Sequence, residues 1–386
     1  MPGVSFGDNG GMTSASHSSD SAEPFEGLRI RGVAKTFGTD TTVLNEIDLD
    51  VHPGELISLV GSSGTGKSTL LRIIAGLEEP SAGRVTYAGQ PLERGSVGVV
   101  FQHPILYPHL SVKDNILFPT RLGAFAGRVD MDYYRELLEA LKLEGLESRK
   151  PSQLSGGQAQ RVGIARALIR RAPVVLFDEP LASVDEEMSA SIRADIVRLH
   201  ERYGFTGLYV THDQNEALML GQRVAVMDAG YLVQVDTPEH LLAHPHTLQV
   251  AKLMAAPALN LVALEDSAVL PAGCQLAIRA TALCPVAADA AHSLPVQVLG
   301  SRHLVGGMLY RARLLEAVSL PLESRRASAD SEPSDRVYAR VRAGQELEFF
   351  IPDAQSGSSL NVGDRVHLGV AAERCFVFSN GKRFYL

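Results

Sequence analysis

No run of apolar residues in the chain is long enough to cross a bilayer. The longest stretch without a formal charge is Gly95–Val112, and Gln102, Pro104 and Pro108 interrupt it, whereas a spanning helix needs about 20 consecutive apolar residues. Cysteine is scarce. Cys274, Cys284 and Cys375 are odd in number and match neither a CxxC nor a zinc spacing, which fits reduced, mostly buried thiols in a cytosol. Positive charge is in deficit: 36 Lys and Arg stand against 44 Asp and Glu, a net charge of −8, with an isoelectric point near 5.9. That balance argues against a nucleic-acid partner held by broad electrostatics. No Lys or Arg precedes Arg29 and no apolar h-region opens the chain, so a secretory signal is not expected. No internal repeat is evident.

What is present is an ordinary globular composition. The 386 residues are 45% hydrophobic and 21% charged, with mean hydropathy +0.04, enough for a large core shared by two or three domains. Residues 1–26 hold six serines and four glycines and read as a disordered tail, since they cannot bury enough to offset their ordering entropy. A glycine-punctuated α/β pattern follows over residues 27–256. Apolar runs at Leu56–Val60, Val97–Phe101, Val174–Phe177, Leu208–Val210 and Val224–Met227 read as strands. Ile192, Ile196 and Leu199 mark a helix face stopped by Gly204. Strands alternating with helices imply a largely parallel sheet covered on both faces. Residues 257–386 change character. Short runs at Val296–Leu299, Met308–Leu314, Val337–Val341, Leu347–Ile351, Arg365–Val370 and Cys375–Phe378 suggest a small all-β domain of barrel type, with a polar loop inserted at Glu323–Asp335.

Gly61-Ser62-Ser63-Gly64-Thr65-Gly66-Lys67-Ser68, followed by Thr69, matches G-x-x-x-x-G-K-[ST] between an apolar strand and a helical run. Its glycines let backbone N–H groups turn around a phosphate, and the following helix adds its positive dipole end. Lys67 is placed to reach the β- and γ-phosphates and Ser68 to hold Mg²⁺. Val174–Phe177 is an apolar strand that delivers Asp178 and Glu179 to its carboxyl end, where ligands bind in open α/β sheets. Asp178 suits a Mg²⁺ ligand and Glu179 a base that polarises water. Leu154-Ser155-Gly156-Gly157-Gln158 opens another helical run 24 residues before Asp178. It is a second anion-binding helix start, with no obvious way to fold onto the Gly61 loop of its own chain.

These three segments, in this order and approximate spacing, strongly resemble the ATP-binding cassette ATPases over Leu28–Ala256. The resemblance implies an α/β P-loop NTPase with a helical subdomain over about residues 104–153. It also implies roles for further residues: Phe37 stacking on adenine, Gln102 contacting Mg²⁺ and the attacking water, His212 facing the γ-phosphate, and Asp185 coupling two sites across a dimer. Leu181-Ala182-Ser183-Val184-Asp185 departs from the family's usual Leu-Ser-Asn-Leu-Asp but keeps the aspartate. The chain holds a single cassette, no fused membrane span, and only 87 positions between Lys67 and Leu154. That leaves a separate subunit docking on permease chains.

The run Ile105–Val112 with Asn115-Ile116 resembles the start of the helical subdomain in sugar-importer ATPases. Val235–Glu239, Ala256–Leu261, Asn361–Val366 and Phe376–Phe378 resemble the junction and small OB-like barrel of carbohydrate and glycerol-phosphate importers. Ala277-Ile278-Arg279-Ala280 lacks the Pro-Glu that commonly follows the arginine there. The resemblance therefore implies the ATPase subunit of an importer for a carbohydrate or glycerol phosphate, with polyamine, inorganic anion or iron import as alternatives and a soluble non-transport ATPase as the rival. Its expected partners are a second cassette chain, in a homodimer, and two integral-membrane permease subunits. An extracytoplasmic solute-binding protein would join through the permease, and the chain would sit peripherally on the cytoplasmic face of the inner membrane. ATP and Mg²⁺ are the expected cofactors.

Overall fold

The structure is a computed structural model and describes residues 25–122, 129–265, 270–271, 273–322, 337–355, 360–371 and 374–384. The serine-rich tail, up to residue 24, and the inserted loop at 323–335 lie outside the described residues.

Two sheets organise the first part of the chain. β1 (Leu28–Phe37), β2 (Thr41–Val51), β4 (Ala82–Tyr87) and β5 (Gln90–Pro91) form an antiparallel sheet in the order β2-β1-β4-β5. The second sheet takes β3 (Leu56–Val60), β6 (Gly98–Val100), β7 (Val174–Asp178), β8 (Thr206–Thr211), β9 (Arg223–Asp228) and β10 (Tyr231–Asp236). Its order is β10-β9-β3-β8-β7-β6, and β9 through β6 run parallel. All five residues of β3 and all six of β8 are buried, as continuous apolar strands in a covered parallel sheet must be.

The antiparallel sheet was not anticipated. Its β1 strand alternates Leu28 and Ile30, both fully buried, with Arg29 and Arg31. That is the signature of a strand with one wet face, which no uninterrupted apolar run announces.

Helices α1 (Lys67–Ile74), α2 (Val112–Leu117), α3 (Met131–Ala140), α4 (Gly156–Leu168), α5 (Glu186–Tyr203), α6 (Gln214–Leu220), α7 (Pro238–Ala243) and α8 (Leu248–Leu253) complete this part. α5 starts on Asp185, whose carboxylate accepts from Met188 N, carries Glu186 and Glu187 in its first turn, and stops at Gly204 with φ 58°. Ile192, Ile196 and Leu199 are buried on its inner face. They share one core with α2, α3, α4 and one face of the parallel sheet, while α1 and the antiparallel sheet cover the other face.

Beyond α8 the longer elements among the described residues are all strands. Leu259–Ala263, Gln275–Arg279, Cys375–Ser379 and Lys382–Phe384 form one sheet. A second takes Leu283–Val286, Arg365–Val370, Leu294–Leu304, Gly307–Leu314 and Glu346–Pro352. These sheets and the hairpin Val318–Leu322/Val337–Val341 enclose a separate apolar core centred on Leu276, Leu294, Leu314, Phe349 and Leu368. Cys274 and Cys375 belong to that core, and Cys284 is exposed. The β-rich part is tied to α7 and α8 by backbone bonds from Leu248 N to Gly381 O at 2.9 Å and Arg383 N to His246 O at 3.0 Å. It is also tied by the Arg279 guanidinium, which donates to the carbonyls of Leu242 and Met254.

Candidate nucleotide site

The carboxyl ends of four neighbouring strands, β3, β8, β7 and β6, lie side by side and put the singled-out residues in one row. The Gly61 loop follows β3, His212 follows β8, Asp178 ends β7 with Glu179 next to it, and Gln102 stands just past β6. This is the edge at which open α/β sheets place ligands.

The loop is held by close approach. A Cβ on Gly61 would lie 2.4 Å from Met227 O, and one on Gly66 would lie 2.7 Å from Leu44 Cδ2 and 2.8 Å from Val43 O. Gly64 and Gly66 also sit at φ 83° and 98°, where side chains are disfavoured. The Lys67 ammonium lies inside the loop, buried, and donates to Gly61 O at 2.7 Å and Ser62 O at 3.0 Å. Burial lowers its pKa, an effect opposed by Glu179 and Asp178. Ser62, Ser63 and Ser68 are exposed, Thr69 is half-buried, and buried Thr65 donates to Ser62 O.

Ser68 Oγ lies 3.5 Å from Asp178 Oδ1. The Asp178 carboxyl is pushed above the usual range by burial first and then by Glu179, against the pull of Arg72, Ser68 and Lys67. Glu179 Oε2 meets His212 Nδ1 at 2.9 Å. Glu179 holds φ at 44°, a strained setting for a non-glycine residue, and its N–H donates to Val210 O at 3.0 Å. Two carboxylates, a lysine, a hydroxyl and an imidazole therefore converge at one edge.

Three side chains stand apart from this cluster. Phe37 is 43% exposed, with the Lys35 ammonium 4.9 Å from its ring centroid. Gln102 is exposed. Asp185 is occupied as the α5 cap, 2.9 Å from Met188 N.

Ser155 and Gly156 are exposed at the start of α4, where a capping box satisfies both ends: Gln158 N donates to Ser155 Oγ, and Ser155 N to Gln158 Oε1. α4 itself packs against α2, β6 and α5. Gly157 is buried against Met188, whose Cγ would lie 2.5 Å from a Cβ there, so the α4 and α5 starts are fitted together.

Sequence reasoning missed three groups. Glu216 is a buried carboxylate that accepts from Tyr209 OH at 3.2 Å and Thr211 Oγ1 at 2.8 Å, with Arg193 at 3.5 Å. It fixes the end of β8 just before His212. His103 Nδ1 and Ser183 Oγ lie 3.1 Å apart, joining the residue after Gln102 to the departing segment before Asp185. Arg161 and Asp195 form a buried ion pair at 2.8 Å between α4 and α5. In all three cases the partners are far apart in the chain or hidden within helical runs, so no local spacing betrays them.

The chain is similar to known proteins in sequence and in fold. The family model described as ABC transporter matches residues 44–182. The sn-glycerol-3-phosphate import ATP-binding protein UgpC 1 of Rhizobium johnstonii is 45% identical over 241 residues, which cover 61% of this chain and 65% of the relative. The protein UgpC of Salmonella typhi, described in the same words, is 42% identical over 266 residues, 66% of this chain and 74% of the relative. The match thus spans slightly under two thirds of the Rhizobium relative's length. Among solved structures, cbiO1 from Clostridium perfringens, part of the ABC transporter complex cbiONQ, is similar with a TM-score of 0.51 at 27% identity, over 57% of this chain and 92% of that one.

Proposed function

The chain belongs to the ABC transporter family, with the P-loop cassette fold, and from that premise we propose that it is the ATP-hydrolysing subunit of an importer for a carbohydrate or glycerol phosphate. The observation that carries the enzymatic part is the convergence of Lys67, Ser68, Asp178, Glu179 and His212 on one sheet edge. The solute class rests on the similarity to the two glycerol-phosphate import proteins.

Lys67 and the backbone N–H groups of the Gly61–Ser68 loop would grip the β- and γ-phosphates, a phosphate oxygen taking the place of the loop carbonyls that Lys67 now serves. Phe37 offers an exposed ring face for the adenine. Glu179 accepts a proton from the attacking water, and His212, hydrogen-bonded to Glu179 and facing the γ-phosphate, helps to position that water.

The donor set also fits Mg²⁺. Ser68 Oγ and Asp178 Oδ1 are hard oxygen ligands already adjacent, Gln102 lies at the same edge, and the crowding of Asp178 against Glu179 favours a nearby dication. When bound, the ion would neutralise charge on the transferring phosphate.

The Ser155–Gln158 cap, exposed at Ser155 and Gly156, would contact the γ-phosphate held by a second copy of the chain, with Asp185 beside the same interface. That arrangement calls for a homodimer with two shared sites. A permease helix would dock in a groove of about 290 Å³ lined by Ile105, Tyr107, Phe118 and Leu122 with Arg166 and Arg170. Ile105 there is 64% exposed. Among the described residues no helix is long and apolar enough to cross a membrane. On this reading the transport path belongs to two separate permease subunits. An extracytoplasmic solute-binding protein feeds them, and the cassette sits peripherally on the cytoplasmic face of the inner membrane. The β-rich part we read as an OB-like barrel that regulates the dimer, a reading supported by its sheets enclosing their own core.

Co-purification from detergent-solubilised native membranes tests this reading. Two polytopic membrane chains are expected with the tagged protein, and the solute bound by their associated receptor identifies the cargo. Recovery of soluble partners alone, under conditions that keep known membrane complexes intact, would overturn it.

A further inference from the structure

A cavity of about 630 Å³ lies between the cassette and the β-rich part. Gln214, Asn215 and Glu239 line it from the cassette side, and Arg279, Thr281 and Arg374 from the β-rich side. Two guanidinium groups therefore face one space. Arg279 is 9% exposed; it spends two N–H groups on the carbonyls of Leu242 and Met254 and lies over the Phe376 ring. Burial, and then repulsion from Arg374, lower its pKa to about 10. Among the described residues, Arg374 has no carboxylate or hydrogen-bond partner for its side chain, and Glu239 pairs with neither arginine. Arg374 is exposed and solvated, so the cost of the like pair falls on the buried Arg279, and an anion bridging the two would relieve it.

The opposite wall carries an acceptor. Gln214 Oε1 is buried and has no hydrogen-bond partner among the described residues, and leaving such a group unsatisfied costs free energy. Gln214 lines the cavity while its Oε1 is closed off, so a ligand that satisfies both walls presents anionic oxygens to the arginines and, once the Gln214 amide turns into the cavity, a hydroxyl to its oxygen.

We propose that this cavity is a regulatory site for a small hydroxylated anion, its phosphate or carboxylate held by Arg374 and Arg279 and a hydroxyl donating to Gln214. Gln214 stands two positions beyond His212, at the start of α6. Occupancy would thus clamp the β-rich part to the segment that carries the imidazole paired with Glu179. The regulatory half of the proposal rests on the catalytic reading above, whereas the binding half does not.

Calorimetric titration of the full chain tests it, with saturating ADP present to fill the Gly61–Ser68 loop. The probes are glycerol phosphate, citrate and inorganic phosphate. Saturable binding of glycerol phosphate or citrate is expected, and which of them binds separates a phosphate-ester ligand from a hydroxycarboxylate. Arg374→Gln, at an exposed position that should leave folding intact, is expected to weaken that binding about tenfold or more. Gln214→Leu should erase any preference for glycerol phosphate over inorganic phosphate. ATP turnover should respond to the bound probe in the parent chain and not in Arg374→Gln. No binding of either hydroxylated probe at millimolar concentration, or unchanged affinity in Arg374→Gln, overturns the site. Binding that needs Arg374, in a chain that never hydrolyses ATP, leaves the site standing and strikes the catalytic reading instead.

Discussion

Glu179 Oε2 and His212 Nδ1 stand 2.9 Å apart, across the carboxyl ends of two hydrogen-bonded parallel strands that pair Asp178 with Val210. The backbone of Glu179 is pinned to the strand of His212 through Val210 O. The carboxylate and the imidazole are thus positioned by sheet register and not by a mobile loop.

Replacing that carboxylate by an amide isolates its proton-accepting role. Glu179→Gln should bind ATP like the parent chain, lose turnover by about 100-fold or more, and accumulate a dimer in the presence of ATP. Steady-state hydrolysis and size-exclusion chromatography read the two effects. Turnover equal to that of the parent would remove Glu179 from the chemistry.

A charge placed at the start of α4 tests whether that helix works on a neighbouring molecule. Ser155→Arg should abolish hydrolysis while the isolated chain still binds nucleotide. Mixing it with a Lys67→Ala chain should restore activity in part, because one composite site then has an intact loop and an intact helix start. A Ser155→Arg monomer unable to bind nucleotide would show that the helix serves its own loop.

The Arg161–Asp195 pair is a matter of stability. Both side chains are almost wholly buried, and Arg161 also donates to Leu141 O and Ser191 Oγ. Asp195→Ala strands a buried guanidinium, so urea denaturation should show a loss of about 3–5 kcal/mol. A loss under about 1 kcal/mol would mean that water reaches Arg161.

At Gly66 the expected defect is local. A methyl group there meets Leu44 and Val43 inside ordinary contact distance at φ 98°, so Gly66→Ala must distort the phosphate loop. Nucleotide affinity should fall at least about tenfold, with a stability loss of about 1–3 kcal/mol. Isothermal titration and thermal melting together check both.

The phosphate loop, the Asp178-Glu179 pair and the Ser155 cap were legible because each function there demands particular residue types at fixed short spacing. Glycine is needed at Gly64 and Gly66 for the backbone angle, and a serine with glutamine three positions on is what a helix start needs. The buried parallel strands were legible for a similar reason, since a covered strand has to be apolar throughout. β1 escaped because its arginines break every apolar run and a register shift between Ile30 and Val33 breaks its alternation. Glu216, Asp195 and the Arg279–Arg374 pair escaped for a different cause. Their meaning lies in partners brought together only by tertiary packing, and Glu216 alone looks like any helix carboxylate.

The cap that closes the start of α4 has a consequence for association. Because Ser155 and Gln158 satisfy each other within one chain, the donor-rich helix end already has its final shape before a mate arrives. Docking then gives up rigid-body freedom and surface water, with little loop entropy on that side of the contact. On the proposed reading, in which this helix end closes on the loop of a second chain, closed dimers should form only where that loop holds ATP.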